Sequence, residues 1–318
     1  MDIQGKKILI TGGAGFIGSH LVDRLLEMGN KVIVYDNFDE FYSGKERNIE
    51  HNLKNRNFKL IKNDILNFET LNSALKEVDI VFHEAAQCGV RYSIENPEKA
   101  NRVNVDGTLN VLIASKKNKV KKLIVASSSS VFGNPIYAPM DENHPTNPNS
   151  PYGVSKLAAE KYCISFHEVY GMDIVCLRYF SVYGPRGRPD QVIHIFTSAL
   201  FNKISPTIFG DGNQTRDFTF ISDVVDATIL AAECENVGGE VFNIGCGEEV
   251  KINDAFYKIA KILGSKIRPN YAGSYKGEFP RTYADNRKAQ RLLGWKPKVS
   301  LDEGIKIFIN WFTETYGN

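Results

Sequence analysis

The chain has 318 residues, enough for two average domains or one large α/β unit that buries its core without disulfides or metal ions. Lysine and arginine total 39 and aspartate and glutamate 37, so the net charge of +2 gives no electrostatic reason to expect a nucleic-acid or membrane-surface partner. Hydrophobic residues make up 42%, and no apolar run approaches the roughly 18 residues of a membrane helix.

The cysteines and histidines show none of the spacings that are typical of redox or metal sites. The cysteine count of five is odd and no Cys-x-x-Cys pair occurs, so we expect free thiols in a reducing compartment. The six histidines form no His-x-x-x-His motif and no cluster with cysteine, which predicts no metal site. Met1 leads into a strand-like run without a signal segment, which predicts a cytoplasmic protein.

Apolar, β-branched runs recur through the first 180 residues, and helix-like stretches separate them. Each run is apolar on both faces, as in parallel strands that helices cover on each side. The alternation predicts an α/β fold with a doubly wound parallel sheet and right-handed crossovers. The predicted strands are residues 7–10, 32–35, 58–61, 80–82, 123–125 and 174–177.

The pattern changes after about residue 181, where a loop of glycine, proline and arginine begins. Shorter elements follow, and no repeat or low-complexity linker separates them from the rest. We interpret residues 1–180, with 217–247 returning to them, as the larger domain. Residues 181–216 and 248–318 are predicted to form a smaller C-terminal α/β lobe that binds the substrate.

The first predicted strand leads into TGGAGFIG, residues 11–18. Gly12, Gly15 and Gly18 permit a tight turn, a close backbone approach to a pyrophosphate and close packing of helix on strand. The helix that starts at Phe16 and Ile17 offers free N–H groups and the positive end of its dipole to an anion. The preceding strand and the following helix favour a dinucleotide site over a glycine-rich turn without a ligand.

Asp36, at the end of the second strand, selects the cofactor. Its carboxylate can accept hydrogen bonds from both ribose hydroxyls of an adenosine and would repel a 2′-phosphate, and the adjacent Asn37 supplies no cation, so NAD is favoured over NADP. Asp64, followed by Ile65, ends the third strand and is placed to meet the adenine. An ordinary strand-end turn is an equally good interpretation of Asp64.

Tyr152 and Lys156 lie four residues apart, on one face of a predicted helix. A tyrosine titrates near 10, and lowering its pKa by ~3 units takes roughly 4 kcal/mol, which a neighbouring ammonium and a cationic nicotinamide could supply. Alone, such a pair is usually a surface pair. A strand that ends in four serines, residues 127–130, precedes it and offers a hydroxyl to the same substrate group, which favours catalysis.

The glycine motif, the serine run before VFG, the Tyr-x-x-x-Lys pair and LRYF at residues 177–180 resemble the extended short-chain dehydrogenase/reductase superfamily, most closely its nucleotide-sugar 4-epimerases of the UDP-glucose 4-epimerase type. The resemblance covers residues 7–295. It implies a Rossmann domain, tightly held NAD and a UDP-sugar substrate. It identifies Ser128 as the catalytic serine, Tyr152 as the base and Lys156 as its partner. The further cofactor contacts that it implies are Ala85, Ala86, Asn104 and Tyr179.

The reaction that the resemblance implies has no net redox change. Tyr152 takes the proton of the sugar 4-hydroxyl while hydride passes to NAD, the 4-keto sugar rotates, and hydride returns to the other face. Dehydratases of this superfamily carry an Asp-Glu pair after the catalytic hydroxyl residue, and decarboxylases carry a glutamate. Ser129 and Ser130 stand at those positions, which favours epimerisation.

The substrate side is predicted from the same resemblance. Arg216 has the geometry of a phosphate ligand, and a solvated arginine after a glycine turn is the alternative. The family often has a second phosphate arginine where Tyr275 stands, and Lys276 is a candidate replacement. The small Thr282 occupies a position near the sugar and predicts room for an N-acetyl group. The other predicted contacts in this segment are Phe209, Gln214 and Glu278.

A competing pattern resembles UDP-glucuronate 4-epimerases and lies in AAQCGVRYS at residues 85–93 and SVYGPRGRPD at residues 181–190. Arg188, with the hydroxyls of Ser181 and Ser128, could hold a sugar carboxylate. Gln87, Arg91 and Ser130 complete the predicted substrate contacts. We favour a neutral or N-acetylated hexose, and the uronate is the alternative.

Two further expectations concern assembly and activity. Related proteins dimerise through two helices per subunit, and residues 97–115 and 151–170 are the candidates here; packing within the domain would suit the same apolar faces. Some related proteins are NAD-sensing regulators without catalysis, and these typically lose the tyrosine or lysine. Because both are present with Ser128, an enzyme is the favoured interpretation.

Overall fold

The strands of the chain build one large sheet and three short pairings. The structure is a computed structural model that describes residues 2–274 and 279–317. Within those residues the strands are β1 (Lys7–Thr11), β2 (Lys31–Asp36), β3 (Phe58–Lys62), β4 (Ile80–His83), β5 (Lys122–Ser128), β6 (Ile174–Tyr179), β7 (Ser181–Tyr183), β8 (Thr207–Phe209), β9 (Thr215–Arg216), β10 (Phe218–Phe220), β11 (Val241–Ile244), β12 (Val250–Lys251) and β13 (Asn270–Ala272).

Helices connect and cover these strands. They are α1 (Phe16–Glu27), α2 (Lys45–Ile49), α3 (Phe68–Ala74), α4 (Val90–Glu95), α5 (Pro97–Asn101), α6 (Gly107–Lys117), α7 (Pro151–Tyr170), α8 (Val192–Phe201), α9 (Ile221–Glu233), α10 (Ile252–Ile262), α11 (Arg287–Leu293) and α12 (Leu301–Tyr316). In the described part of the chain, no helix is long and apolar enough to span a bilayer.

The large sheet confirms the predicted doubly wound α/β fold. Its strand order is β11-β6-β5-β4-β1-β2-β3, and every neighbouring pair is parallel. Because successive side chains of a strand point to opposite faces, Ile8 and Ile10 enter one core while Leu9 enters the other. Helices α1 and α9 cover the first face, and α3, α6 and α7 cover the second. All strands of a parallel sheet end at one edge, so Thr11, Asp36, His83, Ser128 and Tyr179 end along the same edge.

The helix predicted over residues 97–115 is interrupted in the structure. A π turn (Arg102–Asp106) lies between α5 and α6. Asn104, in this turn, is buried and hydrogen-bonds to the backbone of Gln87 and to Ser155. These tertiary contacts stabilise the wider turn. Single π turns of this kind occur inside α-helices, frequently at functional sites.

The C-terminal elements lie beyond the carboxyl edge of the sheet. β8 pairs with β13, β9 pairs with β12, and β7 pairs with β10. Aromatic side chains join the helices of this part: Phe196 of α8 lies 5.4 Å from Phe256 of α10, measured between ring centroids. His194 of α8 lies 5.3 Å from Phe312 of α12. The space between these elements and the sheet edge holds the site.

Candidate active site

A cavity of about 710 Å³ lies between the carboxyl edge of the sheet and the C-terminal elements. The sheet edge contributes the glycine turn after β1 and the ends of β2, β4, β5 and β6. The opposite wall includes Phe218, Phe279 and Thr282. The sequence-predicted residues that line the cavity are Gly12, Gly15, Phe16, Ile17, Gly18, Asp36, Asn37, Asp64, Ile65, Ala85, Ala86, Gln87, Arg91, Ser128, Ser130, Tyr152, Lys156, Tyr179, Ser181, Arg188, Arg216 and Thr282.

The glycine turn is closed against the backbone that follows β4. Gly12 has a φ of 70°, and a Cβ on it would lie 2.6 Å from the Ala85 nitrogen. A Cβ on Gly18 would lie 2.2 Å from the Gly12 carbonyl oxygen. No side chain caps the N-terminus of the twelve-residue helix α1. This cradle fits a pyrophosphate, which needs a bare backbone and free helix N–H groups.

Asp36 is held in position at the end of β2. One carboxylate oxygen accepts a hydrogen bond from the Ala14 nitrogen (3.0 Å), and the other accepts one from the Phe38 nitrogen (2.8 Å). Burial raises the pKa of Asp36, and these two bonds and the nearby Lys45 oppose that rise. Lys45 is a buried cation beside Asp36 that sequence reasoning missed, because it lies nine residues further along the chain.

Asp64 forms the strand-end turn and also lines the cavity. Its Oδ1 accepts a hydrogen bond from the Leu66 nitrogen (2.8 Å), and its Oδ2 accepts one from the Asn37 amide (2.8 Å). Asn37 and Asp64 therefore orient each other on the floor of the cavity. Both interpretations of Asp64 agree with this arrangement.

Tyr152, Lys156 and Ser128 meet deep in the cavity. Ser150 caps α7 by accepting a hydrogen bond from the Gly153 nitrogen (3.2 Å). One turn further on, the buried Lys156 ammonium donates to the Ala126 carbonyl in β5 (2.8 Å). Ser128 ends β5 next to this contact. The helix and the strand thus bring the three side chains of the predicted catalytic set together.

The electrostatics of this group follow from burial. Burial raises the pKa of Tyr152, whereas the Arg188 guanidinium and hydrogen bonding with Ser128 oppose the rise. Burial lowers the pKa of Lys156. A phenol in this environment needs an additional positive charge to lose its proton near neutral pH.

Arginines on the substrate side already have protein partners. Arg188 donates to both carboxylate oxygens of Asp190, from Nε at 2.9 Å and from Nη2 at 3.1 Å. Arg91 lies over the ring of Phe209, 4.4 Å from its centroid. Arg216 donates to the Phe279 carbonyl (2.9 Å). Asp190 was not predicted, although its place two residues after Arg188 was a usable signal.

Some predicted residues lie outside the cavity lining. Asn104 lies behind the wall, where its Oδ1 accepts from the Gln87 nitrogen (2.7 Å) and its Nδ2 donates to the Ser155 hydroxyl (2.9 Å). It therefore braces the segment after β4, and its predicted cofactor contact stays a prediction. Phe209 and Gln214 are not part of the lining; Gln214 donates to the Phe209 carbonyl (2.6 Å), and the Phe209 ring lies under the Arg91 guanidinium. Glu278, Tyr275 and Lys276 lie outside the described residues.

Two further residues of the lining carry a titratable group and were not predicted as site residues, among several such residues. Glu84 follows β4 directly, and Cys88 lies four residues later. Glu84 could have been found by the rule that placed Asp36 and Asp64, since it also follows a parallel strand. Among the residues that the structure describes, no group of three or more His, Cys, Asp or Glu side chains is arranged to hold a metal ion.

Beneath the cavity, Arg178 of β6 and Glu160 of α7 form a buried ion pair. Arg178 Nη2 lies 2.6 Å from Glu160 Oε1, and Arg178 Nε lies 3.0 Å from Oε2. The Ser127 hydroxyl donates to the same Oε2 (2.8 Å). Because Ser127 and Arg178 immediately precede Ser128 and Tyr179, this network joins the two strand ends to the helix that carries Lys156.

Comparison with known proteins gives consistent matches over nearly the whole chain. Residues 9–308 match the family model described as GDP-mannose 4,6 dehydratase. A UDP-glucuronate 4-epimerase of Thermodesulfobacterium geofontis is 38% identical over 311 residues, which cover 96% of each chain. A UDP-N-acetylglucosamine 4-epimerase from Methanobrevibacter ruminantium, solved with UDP-N-acetylmuramic acid, superposes with a TM-score of 0.92 at 38% identity, over 98% of this chain and 100% of the other. A UDP-glucuronic acid 4-epimerase from Bacillus cereus, solved with UDP-glucuronic acid and NAD, gives 0.93 at 40% identity with the same coverage.

Proposed function

Because the chain belongs to the GDP-mannose 4,6 dehydratase family of extended short-chain dehydrogenases/reductases, we propose that it is an NAD-dependent isomerase that inverts carbon 4 of a UDP-sugar. One observation supports this most strongly: Ser128, Tyr152 and Lys156 line the same cavity as the glycine turn and Asp36. A base and a dinucleotide site that share one cavity are what a transient oxidation at carbon 4 requires.

The residues that would hold NAD run along the carboxyl edge of the sheet. Gly12, Gly15 and the start of α1 would take the pyrophosphate, Asp36 would take the adenosine ribose, and Tyr179 would lie toward the nicotinamide. When bound, NAD⁺ supplies a hydride acceptor and then returns the same hydride, so the reaction has no net oxidation.

The protein's own groups move and hold the proton. Tyr152 accepts the proton of the 4-hydroxyl, and Ser128 hydrogen-bonds to that hydroxyl as it ionises. The Lys156 ammonium stabilises the phenolate, because an opposite charge within a few ångströms favours the charged form. Ser129 and Ser130 follow Ser128 and carry no carboxyl group to drive elimination or decarboxylation.

We propose a neutral or N-acetylated hexose as the sugar. The Arg188 guanidinium is engaged at two nitrogens by Asp190, so the pair carries no net charge to attract a carboxylate. Thr282 is small and lines the cavity, with its hydroxyl accepting a hydrogen bond from the Asp217 nitrogen (3.2 Å). The small side chain supports the proposal that there is room beside the sugar.

UDP-glucuronate is the second candidate. Arg188 keeps donors that Asp190 does not occupy, and Ser181 and Ser130 line the same part of the cavity. The similarity to glucuronate epimerases of Bacillus cereus and Thermodesulfobacterium geofontis supports this candidate.

Turnover measured side by side on UDP-glucose, UDP-N-acetylglucosamine and UDP-glucuronate tests the proposal. We expect 4-epimers of the neutral sugars, with kcat/KM at least about tenfold above that for the uronate. The sugar carboxylate of the uronate would lie beside Asp190 without a counter-charge, which should cost more than about 1.4 kcal/mol of binding free energy. Release of water or CO₂ without any 4-epimer would contradict epimerisation. A preference for UDP-glucuronate would establish the second candidate.

Thr282→Tyr probes the room beside the sugar. An added ring overpacks the cavity by about 1–3 kcal/mol, so turnover of UDP-N-acetylglucosamine should fall at least about tenfold while that of UDP-glucose changes much less. Thr282→Ser is the control, because it stays small, keeps the hydroxyl that accepts from the Asp217 nitrogen and should keep the ratio between the two substrates. An unchanged ratio in Thr282→Tyr would show that this position does not face the sugar substituent.

The division into lobes, the location and the oligomeric state are further parts of the proposal. Residues 181–216 and 248–318 are proposed to close over the UDP-sugar, which the positions of Arg216, Phe279 and Thr282 in the cavity wall support. A cytoplasmic location is supported by the five cysteines, which are all free thiols.

The proposed homodimer forms through α7 and the helix pair α5 and α6. Val154, Tyr162 and Val169 of α7 are 54%, 40% and 66% exposed, and their spacings place them on one helix face. An exposed apolar stripe of this kind supports a protein interface.

Light scattering should give twice the monomer mass for the native chain and a monomer for Tyr162→Glu. Tyr257→Glu, at a 51% exposed tyrosine of α10, should stay dimeric; a monomeric native chain would contradict the proposal.

A further inference from the structure

Glu84 places a carboxyl group inside the cavity that the proposed mechanism does not use. It follows β4 and lies against the glycine turn, since a Cβ on Gly12 would come within 2.9 Å of the Glu84 carbonyl carbon. Its side chain lines the cavity together with Lys156 and Tyr179. The charge of Lys156 acts on this carboxyl group, and the Tyr179 hydroxyl donates a hydrogen bond to it.

A chain of hydroxyl groups runs from Glu84 into the protein. The Tyr179 hydroxyl lies 3.1 Å from Glu84 Oε1 and 2.9 Å from Thr228 Oγ1, and the Thr228 hydroxyl lies 2.7 Å from the Val224 carbonyl of α9. Tyr179 and Thr228 are buried, so the chain ends at Val224 without reaching solvent.

This chain accommodates both charge states of Glu84. With the carboxylate, Tyr179 donates to Glu84, and Thr228 donates to Val224. With the carboxylic acid, Glu84 donates to the Tyr179 oxygen, Tyr179 donates to Thr228, and Thr228 again donates to Val224. No buried hydroxyl hydrogen lacks an acceptor in either state, so the geometry does not penalise protonation of Glu84.

The titratable groups that face Glu84 are Lys156 from α7 and Tyr179 from β6; α9 contributes the uncharged Thr228. Burial raises the pKa of Glu84 to about 7, opposed by the hydrogen bond from Tyr179 and by the charge of Lys156. His83, the preceding residue, bonds to Thr11 and Thr108, and burial lowers its pKa to about 3, so it stays neutral.

On these grounds, and resting on the proposed function, we propose that Glu84 is a positioning residue that holds an exchangeable proton beside Lys156, and that loss of this proton stabilises the Lys156 ammonium and the oxidised, cationic form of bound NAD. An anion near two cationic groups favours both of them. The protonated form of Glu84 favours the reduced, neutral nicotinamide instead. Glu84 thereby sets how readily the sugar is oxidised and the keto intermediate is reduced.

The test is a redox titration of the holoenzyme against a mediator dye, read from the absorbance of the reduced nicotinamide without any sugar present. Glu84→Gln keeps the size and the acceptor for Tyr179 but carries no charge at any pH. Above pH 7 the native carboxylate is ionised, so at a fixed dye potential Glu84→Gln should show about tenfold more reduced cofactor than the native protein, equivalent to about 30 mV for a two-electron couple. Below pH 6 the native carboxyl is protonated, and the two proteins should agree.

Two further variants keep the result interpretable. Glu95→Gln removes another carboxyl group at the cavity wall and should follow the native protein at every pH. Tyr179→Phe keeps the Glu84 carboxyl but removes the hydrogen bond that lowers its pKa. The pH at which Glu84 ionisation changes the potential should therefore be higher in Tyr179→Phe than in the native protein.

Equal potentials for the native protein and Glu84→Gln across pH 5.5–9 would overturn the proposal, as would an equal offset at every pH. If Glu84→Gln does not fold, the native protein is compared with Tyr179→Phe. A pH-dependent change of the cofactor potential that occurs at the same pH in both proteins would then overturn the proposal. Absence of 4-epimer formation by the native enzyme would instead contradict the proposed function, because the titration itself needs no sugar.

Discussion

Replacing Tyr152 by phenylalanine should lower kcat for 4-epimerisation by about a thousandfold, because a positioned general base contributes typically 10²–10⁴-fold. The substitution removes only the hydroxyl that is buried near Ser128 and Arg188, and the ring remains to fill its place in α7. The measurement is kcat from NMR or coupled-assay turnover of the preferred UDP-sugar, with the bound cofactor quantified in each preparation.

Tyr42→Phe is the matched control. Tyr42 also lines the cavity, and its hydroxyl accepts a hydrogen bond from the Phe16 nitrogen (3.2 Å) at the start of α1. Loss of this bond should affect cofactor retention while leaving kcat of the loaded enzyme within about fivefold, since a single neutral hydrogen bond contributes about 1 kcal/mol. A Tyr152→Phe enzyme that kept more than a tenth of native kcat would exclude Tyr152 as the base.

Glu160→Gln should destabilise the protein by about 3–5 kcal/mol, which is a large part of the 5–15 kcal/mol typical of a folded domain. Glu160 is 1% exposed and Arg178 is 3% exposed, so the change leaves a guanidinium buried without its counter-charge. The free energy of unfolding, from urea titration of the native protein and the variant, measures the effect.

The same substitution should also reduce kcat, since Glu160 joins Ser127 and Arg178 beside the ends of β5 and β6. Asp302→Asn is the control: it breaks the exposed Lys258–Asp302 pair, whose nitrogen–oxygen distance is 2.5 Å, and should cost less than about 1 kcal/mol. The double variant Glu160→Met with Arg178→Met should recover part of the stability, because it leaves no unpaired charge. A loss below 1 kcal/mol in Glu160→Gln would show that the pair is dispensable.

The sequence alone predicted the fold, the family, the cofactor and the reaction class, and these predictions are confirmed. The fold and the NAD site depend on local pattern, and the family and the reaction class follow from the resemblance that those motifs carry. Short, β-branched runs that are apolar on both faces are typical of buried parallel strands, and three glycines between a strand and a helix favour a close backbone approach. Parallel strands then bring Asp36, Ser128 and Tyr179 to one edge without any further information.

Pairings between distant side chains were decided only by the tertiary structure. Asn104, in the π turn, hydrogen-bonds to Gln87 and Ser155, which lie far from it in the sequence. Lys45 reaches the neighbourhood of Asp36 from a separate helix. The roles assigned to individual site residues stay predictions, and the experiments above test the main ones.

The charges in the cavity show most clearly what the sequence pattern alone does not determine. The composition determined a net charge near zero, and the motifs predicted that two anionic nucleotides would meet a few cations. Only the folded chain pairs Arg188 with Asp190 and places Glu84 beside Lys156. Sequence pattern specifies which residues reach the edge of the sheet, because that follows from strand periodicity. The charge that each residue then presents depends on burial and on neighbours brought together from other elements, which no local pattern encodes.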